Sequence, residues 1–251
     1  MPTERLTFQG HSGHTLAARL DLPDGPHLAT ALFAHCFTCS KDIPAARRIS
    51  ARLAAMGIAV LRFDFTGLGH SKGEFSNTNF TTNVQDIMAA CAALDDRGMS
   101  PTLLIGHSLG GAAVLKAAPD MANIKAVVTI GAPFDPAHVT HNFADALPEI
   151  MANGVAQVSL GGRPFKIGQQ FIDDISKGEL FSAISNLKAA LLVLHSPTDD
   201  TVGIDNASEI FLAARHPKSF VTLDNADHLI SKAADAEYAA DVITSWSKRY
   251  L

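Results

Sequence analysis

Short apolar runs alternate with segments of helical periodicity along almost the whole chain. Residues 6–8 and 16–22 read as two strands joined by the polar turn at 10–14, and 31–34 as a third strand. Residues 45–56 carry apolar positions at helical spacing and stop before Gly57. A strand pattern follows at 58–65, a helix at 84–94, a strand at 102–105 and a helix at 112–118. Residues 126–130 and 190–194 are two further apolar strands. A helix at 204–214, a strand at 219–223 and a helix at 233–246 close the chain. Strands that alternate with helices and are apolar on both faces predict an α/β fold, with a mostly parallel central sheet covered by helices on both sides. Ligands of such sheets bind beyond the carboxyl ends of the strands.

One segment breaks the alternation. Residues 134–188 hold no long buried strand, only helical patterns at 145–151 and 169–175 around a Gly161-Gly162 turn. A segment this long between two core strands predicts a lid insertion over the active face of a single domain spanning 1–251. Its apolar residues Phe143, Leu147, Ile150, Phe165, Phe171, Ile172 and Phe181 have two readings: packing the insertion onto the body, or lining an acyl pocket.

Composition narrows the function classes. The chain has 251 residues, 47% hydrophobic and 18% charged, with a net charge of −5; this is a globular balance. No basic stripe is present, which argues against a nucleic-acid partner, and Arg47 and Arg48 read as a solvated helix face. No apolar run is long enough to span a bilayer, so no membrane partner is expected. Met1 to Arg5 lack the charged-then-apolar layout of a secretion signal, which predicts a cytoplasmic location; the Asn79-Phe80-Thr81 sequon is then accidental. Three cysteines do not suggest a disulfide framework.

The candidate chemistry starts at Gly106-His107-Ser108-Leu109-Gly110, between an apolar strand and a helix. Gly-x-Ser-x-Gly in that setting is a nucleophile elbow: the serine sits in a tight turn, and flanking glycines let the backbone close. A serine hydroxyl needs a base within hydrogen-bond reach. In this architecture the partners follow in the order Ser, acid, His. The strand ending at Leu194 empties into His195-Ser196-Pro197-Thr198-Asp199-Asp200, where Asp199 and Asp200 compete as the acid. His228 is the only histidine in the loop after the last strand. The chemistry also needs two donors for a developing oxyanion. The backbone N–H of Leu109, directly after the serine, is one; the N–H of Phe37, in the loop after the third strand, is the other. Phe37 and Leu109 are thus the expected substrate-binding residues.

Four blocks together resemble the α/β-hydrolase superfamily. His35-Cys36-Phe37 is similar to its His-Gly-x oxyanion loop, with Cys36 standing in place of glycine. The segment from Asp64 to Gly73 resembles an Asp-x-x-Gly-x-Gly-x-Ser-x-Gly loop; Gly106 to Gly110 is the elbow; and His195 to Val202 resembles His-Gly-x-x-Asp-x-x-Val. The last likeness selects Asp199 over Asp200. The resemblance implies the α/β-hydrolase fold, with Ser108, Asp199 and His228 as catalytic residues and no cofactor. The stretches 35–42, 63–69 and 215–220 are similar to the hydrolase half of proteins that fuse this fold to an OsmC-like peroxide-reductase domain. That implies a fused or associated OsmC-like partner.

Cys36 and Cys39 form a C-x-x-C pair inside the oxyanion loop. One reading is two small residues in a shaped loop. The other is a redox switch, whose oxidised form distorts the loop and slows acyl transfer. Zinc is not expected, because no second ligand pair has suitable spacing. The sequence as a whole predicts a serine carboxylesterase that forms an acyl-enzyme on Ser108 with a small-molecule ester. Thioesterase, perhydrolase, acyltransferase and carbon–carbon hydrolase chemistry use the same residues. A ligand-binding protein that keeps an idle triad is the reading from another class.

Overall fold

The computed structural model describes residues 2–251. Among these residues ten strands and eight α-helices follow one another, and outside the insertion they come in the expected order. The strands are β1 (Thr3–Gln9), β2 (Thr15–Asp21), β3 (Ala29–Ala34), β4 (Ile58–Phe63), β5 (Leu103–His107), β6 (Ala126–Ile130), β7 (Val155–Leu160), β8 (Arg163–Gly168), β9 (Ala190–His195) and β10 (Lys218–Thr222). Eight of them form one sheet in the order β1-β2-β4-β3-β5-β6-β9-β10. The β1–β2 and β2–β4 pairs are antiparallel, and every pairing from β4 to β10 is parallel.

The helices are α1 (Pro44–Ala55), α2 (Phe80–Asp95), α3 (Leu109–Ala117), α4 (Leu147–Asn153), α5 (Gln169–Ile175), α6 (Phe181–Ser185), α7 (Asp205–Ala213) and α8 (Ala233–Ser247). Alternate residues of the central strands feed two separate cores. Ala31, Phe33, Ile58, Val60, Leu103 and Ile105 pack against α1 and α8. Leu32, Leu61, Phe63, Leu104, Val127 and Leu191 pack on the opposite face against α2, α3 and α7. Both faces are therefore apolar, which is why these strands read as continuous runs rather than as alternating patterns. Among the described residues no helix is long and apolar enough to cross a membrane.

Several element boundaries differ from expectation by two to four residues, two of them for clear local reasons. Helix α2 starts at Phe80 rather than at 84, because Asn79 and Thr82 form a reciprocal capping box: the Asn79 side chain accepts from the Thr82 N–H, and Thr82 Oγ1 accepts from the Asn79 N–H. Strand β4 stops at Phe63 rather than at 65. There the backbone turns into a loop built on the carboxylate of Asp64, which is fully buried. Asp64 accepts from the backbone and ammonium of Lys41, both at 2.7 Å, and from the His70 N–H at 2.8 Å. A Cβ on Gly69 would lie 2.3 Å from that carboxylate, so the loop leaves no room for a side chain there.

The segment between β6 and β9 corrects the sequence reading. The helical stretches are present at α4 and α5, but residues 155–168 form an antiparallel hairpin of β7 and β8 that turns at Gly161-Gly162. Strand β7 alternates exposed and buried residues, with Ala156, Val158 and Leu160 facing inward. The six-residue period-2 pattern was short and had no flanking run to reinforce it. A 3₁₀-helical stretch, Pro136–Ala146, precedes α4 and is kinked at Phe143.

Candidate active site

Four loops meet at the carboxyl ends of the parallel strands. The first is the elbow after β5. Ser108 has φ 55° and ψ −126°, a left-handed conformation forced by the turn into α3. The glycines have separate causes. A Cβ at position 106 would lie 2.3 Å from the Gly110 carbonyl oxygen, and one at 110 would lie 2.4 Å from that of His35. The elbow therefore packs backbone on backbone against the loop after β3.

The loops after β9 and β10 supply the partners. His228 Nε2 lies 2.9 Å from Ser108 Oγ, and His228 Nδ1 lies 2.8 Å from Asp199 Oδ2. The structure thus brings Ser108, Asp199 and His228 into one line, with the acid and the base on adjacent strands. Asp200 is exposed and reaches only the hydroxyl of Thr201. Burial alone would raise the pKa of Asp199. Hydrogen bonds from His228, Val202 and Thr201 outweigh that and hold it below the usual carboxylate value. Asp199 is therefore an anion beside the imidazole.

Three buried histidines that the sequence reading did not single out tie these loops together. His107 Nε2 is 2.7 Å from the carbonyl oxygen of His228, so it must carry a proton and donate. His195 Nε2 likewise donates to the Val202 carbonyl at 2.7 Å and closes the loop around Asp199. His35 Nδ1 donates to the Cys36 carbonyl at 2.8 Å, and its Nε2 accepts from the Phe65 N–H. Burial lowers the pKa of all three, that of His107 to about 3. They stay neutral and act as fixed donors. Their only sequence signal was their place inside motif blocks.

The loop after β3 holds Phe37. Neither its N–H nor that of Leu109 donates to another group among the described residues. Both residues border the cavity that contains Ser108 and His228. Cys36, in the position where the family pattern has glycine, does not adopt a positive φ; that conformation falls on Thr38, at φ 58°. A side chain at 36 is therefore compatible with the loop. Cys36 and Cys39 are joined by a disulfide, with Cα atoms 5.3 Å apart. This differs from the reading of two free, small residues.

The cavity has a volume of about 740 Å³. Residues of the insertion form one wall, notably Val139, Asn142, Leu160 and Arg163. None of the seven apolar insertion residues named from the sequence borders it, which corrects the acyl-pocket reading. Phe143, Ile150 and Phe171 are buried in the core, Leu147, Phe165 and Ile172 pack against it, and Phe181 is exposed. Phe143 and Phe171 stack behind Phe37, with ring centroids 6.2 and 5.5 Å from its ring. Arg163 donates to the Thr38 carbonyl, and His138 Nε2 is 2.7 Å from the Thr201 carbonyl. The insertion is thereby fastened to the loops on both sides of the serine. Among the described residues no group of three or more His, Cys, Asp or Glu side chains is placed to hold a metal ion.

Comparison with known proteins places this geometry. A model of the serine aminopeptidase S33 family (Hydrolase_4) matches residues 43–169. The crystal structure of the esterase domain of a Rhodothermus marinus protein shares 50% sequence identity, covers 100% of this chain and 99% of its own, and superposes with a TM-score of 0.82. The chain is an α/β-hydrolase. More distant members of this fold include Est1E from Butyrivibrio proteoclasticus, solved with ferulic acid bound, at 19% identity, 98% and 99% coverage and TM-score 0.79. Mouse alpha/beta hydrolase domain-containing protein 10 matches at 20% identity, 98% and 99% coverage and TM-score 0.80; at these identities the likeness concerns the fold alone. No curated protein sequence matches this α/β-hydrolase.

Proposed function

We propose that this hydrolase is a serine carboxylesterase. The observation that carries the reading is the continuous relay Asp199–His228–Ser108, with hydrogen bonds of 2.8 and 2.9 Å, whose Ser108 and His228 open onto the cavity. The half-identical Rhodothermus marinus esterase domain supports it.

The steps follow from the geometry. His228 Nε2 takes the proton of Ser108 Oγ as the oxygen attacks the ester carbonyl. Asp199 keeps Nδ1 protonated, so that Nε2 is the basic nitrogen, and stabilises the imidazolium that forms. The carbonyl oxygen becomes an oxyanion and is met by the unpartnered N–H groups of Leu109 and Phe37; Leu109 opens α3, whose N-terminal field also favours negative charge. The imidazolium returns its proton to the departing alkoxide. Water, deprotonated by the same nitrogen, then releases the acid from Ser108. The insertion acts as a lid wall over the acyl group, with Val139 and Leu160 offering apolar surface to acyl chains of short to medium length.

The family model's name raises aminopeptidase chemistry as a second reading. An aminopeptidase needs an acceptor for the substrate ammonium. Among the described residues Asp42 is the one carboxylate that lines the cavity, and it is already engaged by Arg19, Arg62 and Lys41. Burial pushes its pKa up, but Arg62 and Lys41 outweigh this and bring it to about 2. With its lone pairs occupied, it favours the ester reading.

A fluorophosphonate probe and a chain-length series of aryl esters test this proposal. Wild type is expected to be labelled covalently and to show saturable turnover, with Ser108→Ala losing both, a fall of about a million-fold in turnover. Labelling that persists in Ser108→Ala, or esters left untouched while aminoacyl amides are cleaved, would refute it.

A further inference from the structure

The oxyanion loop holds a residue in a conformation it does not favour. Residues 36–39 form a four-residue turn in which the Cys39 N–H donates to the Cys36 carbonyl at 3.1 Å. Thr38, the third residue, has φ 58°. Turns with a positive φ at that position call for glycine or asparagine, and a β-branched side chain there is an outlier. Such a conformation persists only where its surroundings over-determine it. Three constraints do so here. Thr38 Oγ1 donates to the Phe37 carbonyl at 2.7 Å, Arg163 donates to the Thr38 carbonyl, and the Cys36–Cys39 disulfide ties the first residue of the turn to the last. Only the disulfide can be opened by a covalent reaction. Cys36 and Cys39 both border the cavity that holds Ser108, and Cys39 is the more exposed of the two. Cys91, the third cysteine, is buried in the core with its thiol pKa pushed up by that burial, so it takes no part.

We propose that the Cys36–Cys39 pair is a redox-sensitive positioning element for the oxyanion donor at Phe37, active when the bridge is closed. This rests on the ester-cleaving reading of the site. Phe37 lies inside the turn, one residue before the strained Thr38. With the bridge closed, its N–H stands free beside the serine cavity. A dithiol reductant opens it: one thiolate attacks Cys39 Sγ, the S–S bond breaks, and Cys36 leaves as a thiolate and takes a proton. The reductant's second thiol then displaces Cys39 from the mixed disulfide. The products are two cysteine thiols and an oxidised dithiol, with two electrons and two protons delivered to the protein. Thr38 is then free to return to a negative φ, which turns the peptide plane next to Phe37 and moves the donor off its target. The direction is the reverse of the sequence expectation, in which oxidation slows the reaction.

The test compares the oxidised protein with the protein reduced by dithiothreitol, scoring thiol state at positions 36 and 39 by alkylation and mass. Reduction is expected to lower kcat about tenfold or more, short of the roughly 100- to 1,000-fold of a lost donor, with KM changed less than about twofold. Re-oxidation restores the rate. The Cys36→Ser, Cys39→Ser double variant is expected at the low rate and blind to reductant. Thr38→Gly narrows the ratio of oxidised to reduced rates, because glycine holds a positive φ without the bridge. Equal or faster turnover in the reduced protein overturns the proposal, and so does alkylation of both cysteines without reductant. Fluorophosphonate labelling separates the two readings: Ser108 labelled at the same rate in both redox states sinks this proposal alone, whereas no labelling in either state sinks the esterase reading and this one with it.

Discussion

The body of the molecule and its insertion meet at the same cavity but are built differently. In the body, Ser108 and Asp199 stand just past parallel strands buried on both faces, and His228 lies in the loop after the half-buried edge strand β10. Their positions follow from sheet register, and neutral histidines clamp their loops through single hydrogen bonds. In the insertion, a two-stranded hairpin and short helices lean one wall of side chains over the serine, fastened by Arg163 and His138. On the proposed esterase reading, the first region fixes what bond can be broken and the second shapes which molecule is admitted. Changes in the body should therefore act on all substrates alike, and changes in the insertion should act on their ratio.

The strongest challenge to that division is Asp199→Asn. It removes the anion while keeping the shape, and the wrong imidazole tautomer should lower kcat about 10,000-fold for every ester tried. Steady-state rates across a chain-length series check this; a loss confined to one acyl length would break the comparison.

Acid comes next in size. His107 titrates at about 3 in the fold against 6.5 for the free side chain. Below about pH 6.5 the unfolded chain binds a proton that the folded protein refuses, so stability falls as the pH drops toward 3. His35 and His195 are shifted in the same direction, and Asp199, held low, adds a loss of the same sign below its ordinary value. For His107 alone the cost is about 2 kcal/mol by pH 5. Urea unfolding at pH 7.5 and pH 5, repeated with His107→Gln, should show the slope and its reduction in the variant; a stability that rises on acidification would contradict it.

The smallest effect is the most selective. Leu160→Ala cuts back the cavity wall supplied by β7. It should raise the kcat/KM ratio of longer to shorter acyl esters about tenfold, the scale of an altered apolar pocket, while Ser108 labels as before. A uniform fall across the series would place Leu160 with the body instead.

The same division governs what could be read from the sequence. Strands apolar on both faces, and helices between them, were legible because a two-sided parallel sheet leaves no other pattern. The elbow was legible because its tight turn restricts residue type at 106 and 110, whereas His228 and Phe37 were placed by the order of loops that goes with such an elbow. The choice of Asp199 over Asp200 needed the family likeness, since both follow the same strand. The β7–β8 hairpin was missed because its alternation is short and one-sided. The cavity wall was misassigned because Phe143 and Phe171 are apolar for the sake of packing behind Phe37, while the residues that do line the cavity include Asn142 and Arg163. The disulfide depended on a turn geometry that composition does not carry.

Gly131, just past the end of β6, adds a last consequence. A methyl group there would sit 3.2 Å from Asp199 Oδ2 and 3.5 Å from His228 Nδ1. The bare backbone at this point, held at φ 55°, thus serves as a gasket on the flank of the acid–base contact, and an alanine would be strained there and press on the Asp199 carboxylate. Room beside the reacting pair is thus reserved by a residue that takes no part in the chemistry.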